Sequence, residues 1–223
     1  MFDIHQTIYD RHDEIDEKRV EQYIDGLMRE FVASAEAQPV FDEYGDSGWP
    51  AMLMQYAIDY IGVTPAEMSL ADFNEVVFEL FPRKVSTDPE RAPAIVAELR
   101  AFWNFLHRQY GLANAPKIVA VLTDAAVKRL EKELANPAHF GMAKSFFMLG
   151  KQAGFDMTTQ EGLDEFMAVY NAGLAGERGR IDEPVLPGFP SIEPLPSPLS
   201  PKERADKRKK RKAQRQARKR NRK

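Results

Sequence analysis

The chain has 223 residues, 43% of them hydrophobic and 29% charged, which is the composition of an ordinary globular protein with one domain and an appendage or with two small domains. It contains no cysteine, and this excludes disulfides, cysteine-ligated zinc, iron–sulfur clusters and thiol nucleophiles. The net charge of −3 combines −15 over residues 1–200 with +12 over residues 201–223, where fourteen Lys and Arg accompany two acids.

The first long helix is predicted over residues 16–36, because apolar side chains recur there at helical spacing. These side chains are Val20, Ile24, Leu27, Met28 and Phe31. Residues 41–48 combine acids, glycines and a serine, which predicts a loop. An apolar helix is predicted over residues 49–61, with Pro50 in its first turn.

Two helix-start signals follow closely on each other. Thr64, Pro65 and Glu67 have the arrangement of a cap residue, a first-turn proline and a capping box. Residues 69–72 repeat this signal ahead of a further apolar stretch. Pro82 is expected to end that helix.

The middle of the chain predicts two long helices. The first begins at Asp88 and Pro89 and is capped at its end by Gly111. Its predicted core face consists of Ile95, Val96, Leu99, Phe102, Trp103 and Leu106. Asn114 is predicted to cap the second helix, which covers residues 115–135.

The last helices are delimited by similar signals. Asn136 and Pro137 are predicted to end one helix and to begin the next, and Gly154 is predicted to end that one. Thr158 and Glu161 form a capping box ahead of the final helix. No stretch alternates in the way that predicts a strand.

The sequence therefore divides into three segments. Residues 1–177 are predicted to be an acidic all-α domain, a single compact bundle of about seven to eight helices. Seven of the fifteen prolines lie between Pro184 and Pro201, which excludes a helix and favours an extended linker over residues 178–201. Residues 202–223 are predicted to be a disordered, basic tail.

Residues 78–86 and 142–172 resemble a group of uncharacterised bacterial helical proteins. Members of that group also tend to end in a Lys/Arg-rich tail, and some of their relatives resemble proteins with a Cys-rich SEC-C zinc motif. This chain cannot form that motif, because it lacks cysteine. The resemblance covers most of residues 10–175 and implies a bacterial cytosolic protein, but it implies no activity.

The basic tail carries the strongest functional signal. Clustered cations displace the counterions condensed on phosphates, and a tail without aromatic residues cannot stack on bases. We therefore expect binding to a phosphate backbone without sequence specificity, with RNA or the ribosome as partner. The candidate nucleic-acid-binding residues are Lys207, Arg208, Lys209, Lys210, Arg211, Lys212, Arg215, Arg218, Lys219, Arg220, Arg222 and Lys223.

Other functions stay open at this point. The tail can instead dock on the acidic body, in cis or in trans, as an interaction or assembly module. The body can also hold a protein partner, or it can be an enzyme whose site one sequence does not show.

No membrane contact is expected, since no apolar anchor accompanies the tail and no apolar run reaches the about 20 residues of a membrane span. The first five residues lack the pattern of a secretory signal, which predicts a cytoplasmic location.

The body shows no motif for catalysis, and we expect no catalytic residue, metal, cofactor or small-molecule ligand. The acids of residues 10–17 and 42–46 are interpreted as solvated side chains at a helix start and in a turn. The histidines form no paired metal motif; they are His5, His12, His107 and His139. Ser145 lacks the glycines of a nucleophile elbow.

Two further features have simple structural interpretations. Arg83 and Lys84 are interpreted as cations that complement the end of a helix. Phe102, Trp103, Phe105, Phe146 and Phe147 are interpreted as core side chains. Because adjacent aromatic residues of a helix cannot all face inward, Phe105 or Phe147 is expected to be partly exposed and to mark a partner surface.

Overall fold

The computed structural model describes residues 2–12, 14–45, 48–140 and 142–177, without the side chains of residues 142, 143 and 173–177. Within these residues the only β-pairing is an isolated bridge between Tyr9 and Ile15, so the predicted all-α class is confirmed. The predicted linker and tail, residues 178–223, lie outside the described residues. The helices are α1 (Glu17–Val32), α2 (Gln38–Tyr44), α3 (Trp49–Tyr56), α4 (Leu70–Glu75), α5 (Phe81–Lys84), α6 (Ala92–Tyr110), α7 (Ala115–Val119), α8 (Asp124–Ala135), α9 (Met142–Gln152) and α10 (Gln160–Glu177).

Helix α6 lies at the centre of the fold and packs against α2, α3, α7 and α8. Its predicted core face is confirmed, because all six side chains are buried. Phe102 meets Phe31 of α1 edge to face at 5.3 Å between ring centroids, and Trp103 meets Phe73 of α4 at 6.0 Å. Such pairs add about 0.5–1.5 kcal/mol each to the free energy of burial. Gly111 ends α6 with a φ of 62°, as predicted.

The sequence predicts that Phe105 or Phe147 is partly exposed, and the structure identifies Phe147 as that residue. Phe105 is 2% exposed, because its ring packs between Phe31 and Phe102, with centroids 5.8 and 6.5 Å away. Phe105 is therefore a core side chain, and of the two alternatives it is not the exposed one. Phe147 of α9 is half-buried.

Helix α1 begins where the sequence predicts. The Asp16 carboxylate accepts a hydrogen bond from the Arg19 N–H at 3.2 Å, and the helix ends at Val32, one turn before the predicted end. Further along α1, Glu30 fixes two distant parts of the chain. Its carboxylate accepts from the Phe2 N–H at 2.8 Å and from the Tyr110 hydroxyl at 2.5 Å. The Tyr110 hydrogen bond, followed by that of Phe2, lowers the pKa of Glu30.

The predicted loop over residues 41–48 is wrong in its first half, where α2 forms. Pro39 lies in the first turn of α2, and the Phe41 ring packs edge to face on Phe31 at 5.9 Å. This tertiary contact stabilises a short helix that the local composition does not favour. The turn begins only at Gly45, whose φ is 76°.

The helix predicted to start at Thr64 is also absent, and the chain there forms only a turn. The Glu67 N–H donates to the Thr64 carbonyl at 2.9 Å. Helix α4 starts instead at the second signal. The Ser69 hydroxyl accepts from the Asp72 N–H at 3.2 Å, and Asp72 accepts from the Ser69 N–H at 2.9 Å, which completes a capping box.

Asn114 does not cap α7, contrary to its predicted role. Its side-chain amide donates to the carbonyls of Pro65 at 2.9 Å and Met68 at 2.7 Å. This contact occupies carbonyls that a helix from Thr64 would need for its own hydrogen bonds. The single helix predicted over residues 115–135 is divided into α7 and α8, with Thr123 as the extended N-cap of α8.

Pro82 does not end a helix at the predicted place. The chain passes from α4 through one π-helical turn, Val76–Leu80, into α5. The Phe81 N–H bonds to the Val76 carbonyl five residues earlier, and Pro82 follows in the first turn of α5. A proline is compatible with the first turn of a helix, because its fixed φ matches the helical backbone. A similar turn, Ala57–Ile61, extends α3 to the predicted end of its helix.

Helices α9 and α10, with the turn between them, form what we call the C-terminal hairpin. Asn136 ends α8 as predicted but begins only the 3-10 turn Pro137–His139, ahead of α9. Gly154, with a φ of 89°, lies just after the last residue of α9 and ends this helical segment, as predicted. The cap of α10 is Thr159, whose hydroxyl accepts from the Gly162 N–H at 3.2 Å, rather than the predicted Thr158, whose hydroxyl bonds to Asp156. The hairpin has its own aromatic cluster, which consists of Phe146, Phe155, Phe166 and Tyr170.

Candidate functional site

The most unusual polar group among the described residues is the Lys144 amine, which joins the C-terminal hairpin to the rest of the domain. The side chain lies on α9 and is 2% exposed. Its Nζ donates to the Pro82 carbonyl of α5 at 2.9 Å and lies 4.1 Å from the centroid of the Phe140 ring. Pro82 belongs to the last turn of α5, where carbonyls lack helical partners and attract cations. Lys144 therefore completes the hydrogen bonding of one helix end.

Burial changes the acidity of this amine. Desolvation lowers the pKa of Lys144 from 10.5 to about 8, and the negative charge of Asp88 opposes this effect. Asp88 is exposed and forms its ion pair with Lys151, at 3.4 Å. The ammonium form of Lys144 is thus stabilised mainly by a neutral carbonyl and a ring face. An amine of this kind can anchor a helix, but nucleophilic catalysis also requires a positioned base or carbonyl-binding group.

Sequence reasoning missed Lys144 and considered only its neighbour Ser145, which is also buried. The available signal was one lysine within the largely apolar first turns of α9. Such a lysine usually extends its amine to solvent along its own alkyl chain, and a single sequence does not distinguish the two arrangements.

The histidines do not converge on one site. His5, His12 and His107 are exposed. Nδ1 of His139 lies 2.5 Å from a carboxylate oxygen of Glu133 at the end of α8. Over the described ranges of the chain, no group of three or more His, Asp or Glu side chains is arranged to hold a metal ion.

The acid-rich segments bond to their own backbone or to near neighbours. Asp10 accepts from the N–H groups of His12 at 2.7 Å and Glu14 at 2.9 Å, and these backbone contacts lower the pKa of Asp10, the Glu14 bond most. In α2, the Asp42 carboxylate accepts from the Gln38 amide at 2.8 Å. Asp13 and Asp46 lie outside the described residues. The observed bonds are those of turns and helix surfaces.

Many basic side chains of the domain are engaged locally. Arg83 and Lys84 occupy the last turn of α5, as predicted, and the Lys84 ammonium lies 5.3 Å from the centroid of the Tyr60 ring. Arg108 forms an ion pair with Glu36, and the Arg129 guanidinium lies 4.0 Å from the Phe78 ring centroid. Lys84, Arg108 and Arg129 therefore have partners within the domain.

The acidic surface of the domain is visible on α1. Glu17, Glu21 and Asp25 are exposed and follow one another at four-residue intervals, which places them on one side of the helix. Residues 1–177 contain 29 acids and 15 bases, a net charge of −14. The twelve candidate nucleic-acid-binding residues, from Lys207 to Lys223, all lie outside the described residues.

No protein-family model matches the chain, and no match was found among the curated proteins or the solved structures. The resemblance to bacterial helical proteins stays a prediction. None of the described helices is both long and apolar enough to cross a membrane.

Proposed function

We propose that this protein is a non-enzymatic cytoplasmic adaptor that binds the phosphate backbone of RNA, free or in the ribosome, through residues 202–223. The observation that carries the proposal is the separation of charge along the chain. Residues 202–223 contain fourteen bases and two acids, whereas residues 1–177 have a net charge of −14. Such a basic segment gains affinity for a polyanion by releasing its condensed counterions.

The contacts of the helical domain support this assignment of roles. Arg19, Arg108 and Lys151 form ion pairs with carboxylates, and Lys144 is buried, so these cations are directed toward the protein itself. RNA would be repelled by the acidic surface of the domain. The domain is therefore expected to stand away from the RNA and to present its surface to a protein partner.

RNA is favoured over duplex DNA by the composition of the basic segment. Residues 202–223 contain no aromatic residue for base stacking, but Arg-rich segments fold on structured RNA through phosphate contacts. Ala213, Gln214, Gln216 and Ala217 lie between the cations and are compatible with a helix. Recognition would then depend on charge and shape rather than on base identity.

A tail deletion tests this function. A chain that ends at Ser200 is expected to lose binding to RNA and ribosomes at low salt, because fourteen cations are removed. The matched control is a full-length chain with residues 202–223 in shuffled order, which keeps the charge and should keep the affinity. Filter binding or sedimentation with ribosomes, bulk RNA and duplex DNA measures the affinity of the truncated and the shuffled chains. Undiminished binding of the truncated chain would contradict the proposal, and loss of binding by the shuffled chain would contradict an attraction that depends on charge alone.

The exposed acids of α1 favour a second function, in which the basic segment docks on the domain in cis or in trans. Residues 1–100 have a net charge of −13 and residues 201–223 of +12. Surface pairs of this kind weaken with salt. Small-angle scattering and sedimentation without RNA distinguish this function, because added salt would then expand the molecule or dissociate an oligomer.

A further inference from the structure

The C-terminal hairpin exposes apolar side chains that the main core would bury. On α10, Met167 is 39% exposed and Val169 is 58% exposed. On α9, Phe147, Met148 and Leu149 are only half-buried. The apolar side chains on the core face of the central helix α6, in contrast, are almost fully buried. Exposed apolar side chains on two adjoining helices offer a surface that another segment can cover.

The arrangement of side chains on α10 shows that its apolar face is wider than the part that α9 covers. Leu163, Phe166 and Tyr170 form the stripe that faces inward, and Phe166 and Tyr170 contact the Phe146 ring of α9 at 4.7 and 5.2 Å between centroids. At about 100° per residue, Met167 and Val169 flank this stripe on its two sides. Ala168 lies on the opposite side of the helix. The flanks of the stripe are therefore available for a further contact.

The sequence that follows α10 has an apolar pattern of its own. Leu186, Phe189, Ile192 and Leu195 recur at every third residue, and prolines surround them at positions 184, 187, 190, 194 and 196. A polyproline II helix has three residues per turn and rises about 3.1 Å per residue. In that conformation the four apolar side chains would form one edge about 28 Å long. A segment that served only as a spacer would not require such an edge.

We propose that residues 184–196 form a polyproline II strip whose apolar edge packs on the exposed apolar surface of the C-terminal hairpin in the same chain. The strip is the occupant best placed to reach this surface. Residues 178–185 can extend about 26 Å, whereas α10 rises only about 12 Å from Val169 to its end at Glu177. The strip can thus fold back along α10.

Charge also favours an apolar contact over an ionic one. Residues 181–196 contain Asp182, Glu183 and Glu193 and no Lys or Arg, so they have no ionic attraction to the acids of α10, Asp164 and Glu165. The docked strip would hold the start of residues 202–223 beside the hairpin. This inference goes beyond the proposed function and does not depend on it, because the docking needs no RNA.

Engineered cysteine pairs test the docking in the full-length, cysteine-free chain. Phe189→Cys is combined with Met167→Cys, with Val169→Cys or with Ala168→Cys as the matched control. The three pairs have nearly the same separation along the chain, so a free tether would bring each pair together at nearly the same rate. Docking is expected to make the intramolecular disulfide of the Met167 or Val169 pair form about tenfold faster than that of the Ala168 pair.

A second set of variants shows whether the apolar edge is responsible. When Leu186→Ser, Ile192→Ser and Leu195→Ser are added to the cysteine pairs, the Met167 or Val169 pair should no longer form its disulfide faster than the Ala168 pair. Val185→Ser, which lies off the apolar edge, should leave this difference in rate unchanged. Equal rates for the three cysteine pairs would overturn the proposal. Faster bonding of Phe189→Cys to Val32→Cys would also overturn it, by placing the strip in the open groove that Met28, Val32 and Ala51 line between α1 and α3. Disulfide-linked dimers as the main product would assign the surface to a second copy.

Discussion

Replacing Lys144 by methionine is expected to raise the free energy of unfolding by about 2 kcal/mol at pH 7. Lys144 is 2% exposed, and its amine donates to the Pro82 carbonyl at 2.9 Å. The lowered pKa of Lys144 shows that burial disfavours the charged amine more than its surroundings favour it, so removal of the charge is expected to stabilise the fold. Methionine keeps most of the side-chain volume and removes the charge. Urea unfolding at pH 7 measures the change.

The same residue gives stability a characteristic pH dependence. The pKa of Lys144 is about 8 in the folded protein and 10.5 in the reference state, so between these values the unfolded chain binds more protons than the folded one. Stability therefore rises with pH across this window, by about 2 kcal/mol between about pH 7 and pH 9.5. The Lys144→Met variant should lack this rise.

Lys151→Met provides the matched control on α9. Lys151 is exposed and pairs with Asp88 at 3.4 Å, so its replacement should change the free energy of unfolding by less than about 0.5 kcal/mol. A Lys144→Met variant that is clearly less stable than the native chain, with the pH dependence unchanged, would contradict this description of the buried amine. Such a result would mean that the bond to Pro82 outweighs the desolvation of the charge.

Replacing Gly162 by alanine is expected to destabilise the C-terminal hairpin by about 3 kcal/mol. A Cβ atom at this position would lie 2.2 Å from the carbonyl oxygen and 2.8 Å from the carbonyl carbon of Asp156. These are backbone atoms of the turn that leads into α10, so the turn itself has to move. The higher helix propensity of alanine, about 1 kcal/mol, does not compensate for that displacement.

The position of the two tryptophans makes the site of this damage measurable. Trp49 and Trp103 lie in the main core, so their fluorescence reports on that part of the fold. Hydrogen exchange of the α9 and α10 amides reports on the hairpin. The Gly162→Ala variant should accelerate hydrogen exchange in the hairpin and leave the tryptophan fluorescence almost unchanged. Glu165→Ala, an exposed replacement on the same helix, should change neither the exchange nor the fluorescence. Unchanged exchange in the variant would show that the turn accommodates a Cβ atom.

The parts of the fold that the sequence predicts best are those with local causes. The capping residue Asp16, the apolar face of α6 and the terminal Gly111 need only helical periodicity and backbone geometry. The errors arise where contacts between residues distant in sequence determine the local structure. The contact of Phe41 with Phe31 stabilises α2, and the Asn114 amide takes the carbonyls of Pro65 and Met68. Local composition carries no information about such partners.

The candidate site divides in the same way. The basic segment is evident from composition alone, since clustered charge determines phosphate affinity without any folded arrangement. The burial of Lys144 depends on where α9 meets α5, sixty-two residues apart in sequence, and no local pattern indicates it. The apolar pattern of residues 186–195 indicates a docking segment only when it is considered together with the exposed apolar side chains of α10.

The salt dependence of RNA affinity tests the proposed function most directly. For the full-length protein, the logarithm of the association constant should fall with the logarithm of the salt concentration at a slope of about −4 to −7, if six to ten cations contact phosphates of a single strand. The chain that ends at Ser200 should show weak binding and a slope near zero. A full-length protein that binds RNA with a slope near zero, or with the slope and affinity of the truncated chain, would contradict phosphate binding by residues 202–223.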